Sequence, residues 1–140
     1  MLRTPFASTN RVAPSEIRAL MVDHDPMCRE IVASLLAAIH IQTDIAADGV
    51  KATELAMRIT YDLILIAAQL PIIDGFATAR AIRAMPHHAA TPILLLTDDA
   101  LSTSAENPTA FNGQIDIPID PRQLYSSIDA RLKSSTPELP

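Results

Sequence analysis

Two groups of side chains in this sequence could do chemistry. Asp23, His24 and Asp25 stand together after one β-rich run, and Thr97 and Asp98 stand after another. Carboxylates so placed can hold a divalent cation or act as nucleophiles, and the imidazole adds a nitrogen that can ligate a metal. Neither group is complete. Octahedral Mg2+ wants more than one oxygen anchor, so Asp23 offers it only weak residual binding. Zn2+ or Ni2+ at His24 with Asp23 or Asp25 would meet a scattered ligand set. Cys28 is the only cysteine, which excludes an internal disulfide and a Cys-rich zinc site. No basic neighbour clearly depresses its pKa, so it reads as packing or contact surface. Asp74 reads as a helix cap, Asp48-Gly49 and Gly75 as turns, and His87-His88, in the loop AMPHHAATP, as solvated.

These residues form a site only if the elements carrying them converge. β-rich runs at Arg18–Val22, Gln42–Ala46, Leu63–Ala68, Ile93–Thr97 and Gln114–Ile117 alternate with helical patterns, the order of a parallel sheet with helices on both faces. LILIAA and ILLLT are apolar throughout, as strands buried on both faces must be. The first helix opens with Asp25 as cap and Pro26 in its first turn, and Met27, Ile31, Leu35 and Ile39 form its apolar stripe. A second runs from about Val50 to Thr60 with Ala52, Leu55, Ala56 and Ile59 on one side. A third follows Asp74-Gly75 with Phe76, Ala79 and Ile82. The last follows the cap Asp120 and Pro121 with Leu124, Ile128 and Leu132. Between Thr97 and Gln114 the fourth helix is weak or irregular, because LSTSAENPTAF lacks periodicity and contains Pro108. Ligands of doubly wound sheets sit beyond the carboxyl ends of the strands. That points to Asp23-His24-Asp25, Ala67-Ala68, Thr97-Asp98 and Ile117-Pro118.

Composition limits the function classes. The 140 residues are one domain's worth of chain, and 49% hydrophobic with 19% charged residues argues against disorder. The net charge of −5, with no cluster of Lys or Arg, disfavours nucleic acid and anionic membranes as partners. No apolar run is long enough to span a bilayer, and the opening residues lack the apolar core of a secretory signal, so a cytoplasmic protein is expected. Residues 1–15 and 135–140 read as flexible tails around one body, residues 16–134.

The blocks IRALMVDHDPMCREIVASLL, YDLILIAAQLPIIDGFATARAIRAM, TPILLLTDDA and IDIPIDPRQL resemble, in order and spacing, those of response-regulator receiver domains. The resemblance covers about residues 17–133. It implies a flavodoxin-like, doubly wound α/β fold with a five-stranded parallel sheet in the order 2-1-3-4-5, and a cis Ile117–Pro118 bond. In that family a partner histidine kinase donates a phosphoryl group to an aspartate ending the third strand. Acidic residues after the first strand help to hold Mg2+, and a Thr or Ser after the fourth strand and a Lys after the fifth contact the phosphoryl oxygens.

This sequence departs from the pattern. The acceptor position is Ala67, the Lys position is Ile117, and the acidic pair is Asp23-His24; Asp23, Thr97 and Pro118 keep the family's residue. A methyl group cannot attack phosphorus, and an isoleucine cannot neutralise its oxygens. The changes also agree electrostatically, because a Lys kept without its acids would be an unpaired, partly buried charge. The expectation is a degenerate receiver with no catalytic residue, no cofactor and a protein partner: a kinase, a phosphotransfer protein or an output domain. By resemblance its partner surface comprises Met27, Cys28, Ile31, Pro118 and Ile119. A second expectation adds Gln114 and Tyr125, beside a weakly anchored Leu101–Gly113 segment. The alternative is an active receiver phosphorylated at Asp25 or Asp98. Flavin mononucleotide is disfavoured, since the Asp25-Pro26 turn lacks a phosphate-cradling Gly/Ser/Thr loop.

Overall fold

The computed structural model describes residues 17–97 and 110–135, and the statements below concern those residues. The expectations for the two tails (Ser135 apart), for Asp98 and for most of the weak fourth helix lie outside them. Five strands, β1 (Arg18–Val22), β2 (Gln42–Ala46), β3 (Leu63–Ala67), β4 (Ile93–Thr97) and β5 (Gly113–Asp116), form one parallel sheet in the order β2-β1-β3-β4-β5. Each parallel step requires a crossover, and helices supply the covering layers. They are α1 (Pro26–Ala38), α2 (Gly49–Arg58), α3 (Gly75–Arg83) and a last helix, Pro121–Ser135.

Side chains alternate across a strand, so each central strand feeds two cores. Ala19, Met21, Leu63, Leu65, Leu94 and Leu96 pack with Cys28, Val32 and Leu36 of α1 and with Leu124 and Ile128 of the last helix. On the other face Leu20, Val22, Ile64, Ile66 and Ile93 pack with Ala52 and Ala56 of α2 and with Ala79 and Ile82 of α3. Every residue of β3 and β4 is buried. At the edge, β2 reads QTDIA and is buried only at Ala46.

Three caps stand where the sequence indicates them, and a fourth is Asp48, in a pair that the sequence presents as a turn. Asp25, Asp48, Asp74 and Asp120 accept hydrogen bonds from the backbone N–H groups of Met27, Lys51, Ala77 and Arg122, which have no partner within their own helices. The Ile117–Pro118 bond is cis. Gly75 is required where α3 starts against the end of β3, because a Cβ there would collide with the Ala67 carbonyl oxygen.

Two expectations change. The buried stripe of α1 is Cys28, Val32 and Leu36; Met27 and Ile31 are exposed, and Leu35 and Ile39 are half-buried. The two stripes have the same spacing and lie about 100° apart, and the larger side chains belong to the outer one. His88 is not solvated either. It ends a 3-10 turn, Pro86–His88, and is fully buried, while His87 is exposed. The Tyr61 backbone N–H donates to His88 Nε2 at 3.1 Å, so the ring is neutral and its proton sits on Nδ1. Nearby, Arg83 gathers carbonyl and amide oxygens from two segments: His88, Ala89 and Thr91 before β4, and Ala110 and Asn112 before β5, at 2.7–3.1 Å.

Burial first, then the charges of His87 and Arg83, pushes the His88 pKa down from 6.5 to about 4. Above pH 6.5 the ring is neutral in both the folded and the unfolded chain. As the pH falls from 6.5 toward about 4, only the unfolded chain takes up the proton, so this contribution to stability is lost. The expected slope reaches about 1.4 kcal/mol per pH unit. Urea denaturation between pH 7 and 4.5 should show a shallower slope for His88→Gln than for the parent chain. Equal slopes would refute this assignment.

Candidate functional site

The strand ends singled out from sequence meet at one end of the sheet. Val22 stands opposite Ile66 and Ala67 opposite Leu96, so Asp23, Ala67 and Thr97 follow on nearly level rungs of three adjacent strands. All three are buried.

Asp23 is held entirely by its own surroundings. Its backbone N–H donates to the Ala46 carbonyl at 3.1 Å, and its Oδ1 accepts the Asp25 N–H at 3.0 Å. The Cys28 thiol lies beside the same carboxylate. Arg29 reaches back from α1 to the carbonyls of Asp23 and His24, at 3.1 and 3.3 Å. Burial, then the hydrogen bond to Asp23, then the charges of Asp23 and Asp25, pushes the Cys28 thiol up to about 12. A thiol that donates to a carboxylate in an apolar layer keeps its proton.

The other positions are apolar. Ala67 contributes a methyl group at the end of β3, and the Ala68 carbonyl accepts the Gly75 N–H at 3.0 Å. Ile117 lies one residue beyond β5, where its N–H donates to the Thr97 carbonyl at 3.1 Å. With Ile119 it packs against the core layer of Cys28 and Leu124.

The residues present do not fit a Mg2+ ion. Asp23, the one buried carboxylate among the described residues, is engaged by the Asp25 amide with the protonated Cys28 thiol beside it, His24 is exposed, and the third position is a methyl group. Among the described residues no cluster of three or more His, Cys, Asp or Glu could hold a metal. Asp25 is committed to capping α1.

The expected partner surface is partly redrawn. Met27 and Pro118 are exposed, Ile31 less so, and Ile119 is half-buried, whereas Cys28 belongs to the core and offers no contact surface. Tyr125, expected beside Gln114 in the partner surface, has an engaged hydroxyl. It is half-buried and donates to the Leu35 carbonyl at 2.8 Å, tying the last helix to α1. Gln114, half-buried on β5, donates to Asp116 at 3.2 Å. Sequence reading missed two features: the closeness of Cys28 to Asp23 and the Arg29 clasp. Only the first left a signal, a Cys three residues after the Asp25 cap and on the sheet-facing side of the helix.

A model of the response regulator receiver domain matches residues 19–129. The gliding motility regulatory protein of Myxococcus xanthus is 35% identical over 64% of this chain, and the 3',5'-cyclic-nucleotide phosphodiesterase regA of Dictyostelium discoideum is 30% identical over 93%. The chain spans only 12% and 18% of those proteins' lengths. Among solved structures, the receiver domain of the sensor histidine kinase PA1611 from Pseudomonas aeruginosa, with a magnesium ion in its active-site cleft, superposes with a TM-score of 0.79 at 27% identity, covering 84% of this chain and 98% of that one. The Vibrio cholerae chemotaxis protein CheY4 superposes with a TM-score of 0.77 at 26% identity, covering 81% and 97%.

The protonation of Cys28 has a measurable consequence. A rise from 9.0 to about 12 leaves about a thousandfold less thiolate at neutral pH. Alkylation by iodoacetamide at pH 8 should therefore be slow in the folded chain and fast after denaturation. Comparable rates in both states would contradict the raised pKa of the buried thiol.

Proposed function

Because this chain belongs to the response regulator receiver family, we propose that it serves two-component signalling as a receiver that binds a protein partner without phosphoryl control. The observation that carries this reading is the replacement of charged chemistry at three convergent strand ends. A methyl group stands at the acceptor position, an isoleucine turned into the core stands at the Lys position, and the one buried carboxylate is satisfied internally. Transfer to carboxylate oxygen needs a free nucleophile and positive charge to meet the developing negative charge on phosphorus. Neither is supplied here.

The module is non-catalytic and cytoplasmic in this reading, and needs no cofactor. No helix among the described residues is long and apolar enough to cross a membrane. Its partner is a kinase, a phosphotransfer protein or an output domain, held through the exposed side chains Met27 and Ile31 of α1 with Pro118 and Ile119 beyond β5. Truncating a central apolar anchor of such an interface costs 2 kcal/mol or more, about thirtyfold in affinity.

Acetyl phosphate with Mg2+ should leave the chain unlabelled, and beryllofluoride with Mg2+ should not shift the amide resonances of Asp23, Ala67 or Thr97. Ala67→Asp alone should label poorly, because Ile117 still offers no cation and His24 still breaks the acid pair. The triple variant Ala67→Asp, His24→Asp, Ile117→Lys should label better. Without Mg2+ its clustered carboxylates should also lower its stability. Efficient labelling of the parent chain would overturn the proposal.

A further inference from the structure

We propose that the β2 edge of the sheet pairs with the β2 edge of a second copy of this chain, antiparallel about a two-fold axis at Thr43, and that Ile45 of each copy fills a groove on the other. This margin is separate from the strand ends described above, and the pairing does not depend on whether the chain takes a phosphoryl group.

The edge is open by its own hydrogen-bond pattern. In a parallel ladder alternate residues of a strand bond the same neighbour. The Gln42 N–H donates to the Ile17 carbonyl and the Ala46 carbonyl accepts the Asp23 N–H, both at 3.1 Å, so the even-numbered residues of β2 face β1. Thr43 and Ile45 therefore turn their N–H and C=O groups outward, and nothing among the described residues bonds them. At the opposite edge the Asp116 N–H of β5 donates to Gln123 Oε1 at 3.2 Å, so that edge is partly capped. Edge strands are commonly blunted by charge. The one charged side chain of β2, Asp44, is held by Arg18 at 3.1 Å and by the Tyr61 hydroxyl at 2.7 Å, and beside it Ile45 is 39% exposed.

Along this edge lies an open groove of about 580 Å³, lined by Ala33 and Ala37 of α1, by Ile41 and by Thr43. Thr43 and Ile45 stand level with Ala19 and Met21, core residues of the α1 face, so both project on that face. The Thr43 hydroxyl is buried and has no hydrogen-bond partner among the described residues, a state that costs stability.

A second copy answers each of these features. With Thr43 on the two-fold axis, the two Thr43 residues exchange N–H···O=C bonds, and their hydroxyls lie on one face, within reach of each other. Gln42 falls opposite the partner's Asp44, amide beside carboxylate. Ile45 falls opposite the partner's Ile41 and enters the groove, where the small side chains of Ala33 and Ala37 leave it room. Its N–H donates to the partner's Ile41 carbonyl, which adds one bond at either end of the ladder. An axis at Asp44 would set two carboxylates against each other, so the register centred on Thr43 is the favoured one. Every one of these matches comes from β2 and its own groove, which selects a second copy over an unrelated strand.

The test uses the full chain. Sedimentation equilibrium between about 1 μM and about 1 mM should show monomer passing to dimer. The dimer should tighten as salt rises, because each copy carries a net charge of −5 and the ladder uses no ion pair between copies. Ile45→Lys places a charge on the open edge and should raise the dissociation constant about tenfold or more. Ile72→Asn removes an exposed apolar side chain far from this edge and should leave the constant unchanged. In this register the two Thr43 Cα atoms stand about 5.5 Å apart, within disulfide reach. Thr43→Cys should therefore cross-link the dimer under mild oxidation, while the parent chain, whose Cys28 is buried and protonated, should not. A monomer throughout the range, a dimer that Ile45→Lys leaves intact, or a Thr43→Cys chain that stays unlinked would overturn the inference. Equal weakening by Ile72→Asn would overturn it too, since that outcome marks non-specific apolar association.

Discussion

Burial of β3 and β4 on both faces is the constraint from which the rest of the molecule follows. LILIA and ILLLT leave no polar face to turn toward water, so both sides of the sheet must be covered. Parallel neighbours cannot be joined by tight turns, and each connection has to travel back over a face, which places a helix where cover is needed. The same topology sends every strand's carboxyl end to one side of the sheet. Asp23, Ala67, Thr97 and Ile117, spread over nearly a hundred positions of chain, become neighbours for that reason alone.

A strand end that emerges from such a layer is a difficult place for charge. A buried carboxylate needs donors, and a buried ammonium needs an anion. This chain answers with subtraction. Asp23 keeps its carboxylate and receives an amide, with a protonated thiol beside it, while Ala67 and Ile117 require nothing from their surroundings. The resulting pocket is electrically quiet at rest. Nothing in it depends on an ion to offset repulsion, and a single introduced acid would lack the neighbours that make such a group affordable.

Much of this was legible from residue types. The strands and the Asp caps are local matters: β-rich runs bounded by turn residues, and short polar side chains ahead of apolar stripes. What was misread depended on the third dimension. Met27-Ile31 and Cys28-Val32 repeat with the same period, and only the phase at which α1 meets the sheet decides which stripe is inside. His87-His88 looks like a polar loop, yet one ring is drawn under the sheet because the Tyr61 N–H requires an acceptor there. Ile72, whose φ is 74°, went unread, because the string LPIIDG does not announce a left-handed backbone at an isoleucine.

Arg83 bears on how the domain comes apart. Its planar fork joins the end of α3, the loop entering β4 and the approach to β5, and burial lowers its pKa from the ordinary arginine value. Asn112 Oδ1 accepts from Arg83 and also from the Ile93 N–H, so the clasp reaches the first residue of β4 directly. Fraying at that margin cannot proceed one segment at a time, since releasing any arm strips oxygens from a desolvated guanidinium. β4, β5 and the end of α3 therefore form one cooperative opening unit, and a lysine, with a single nitrogen in place of the fork, could not weld the three together.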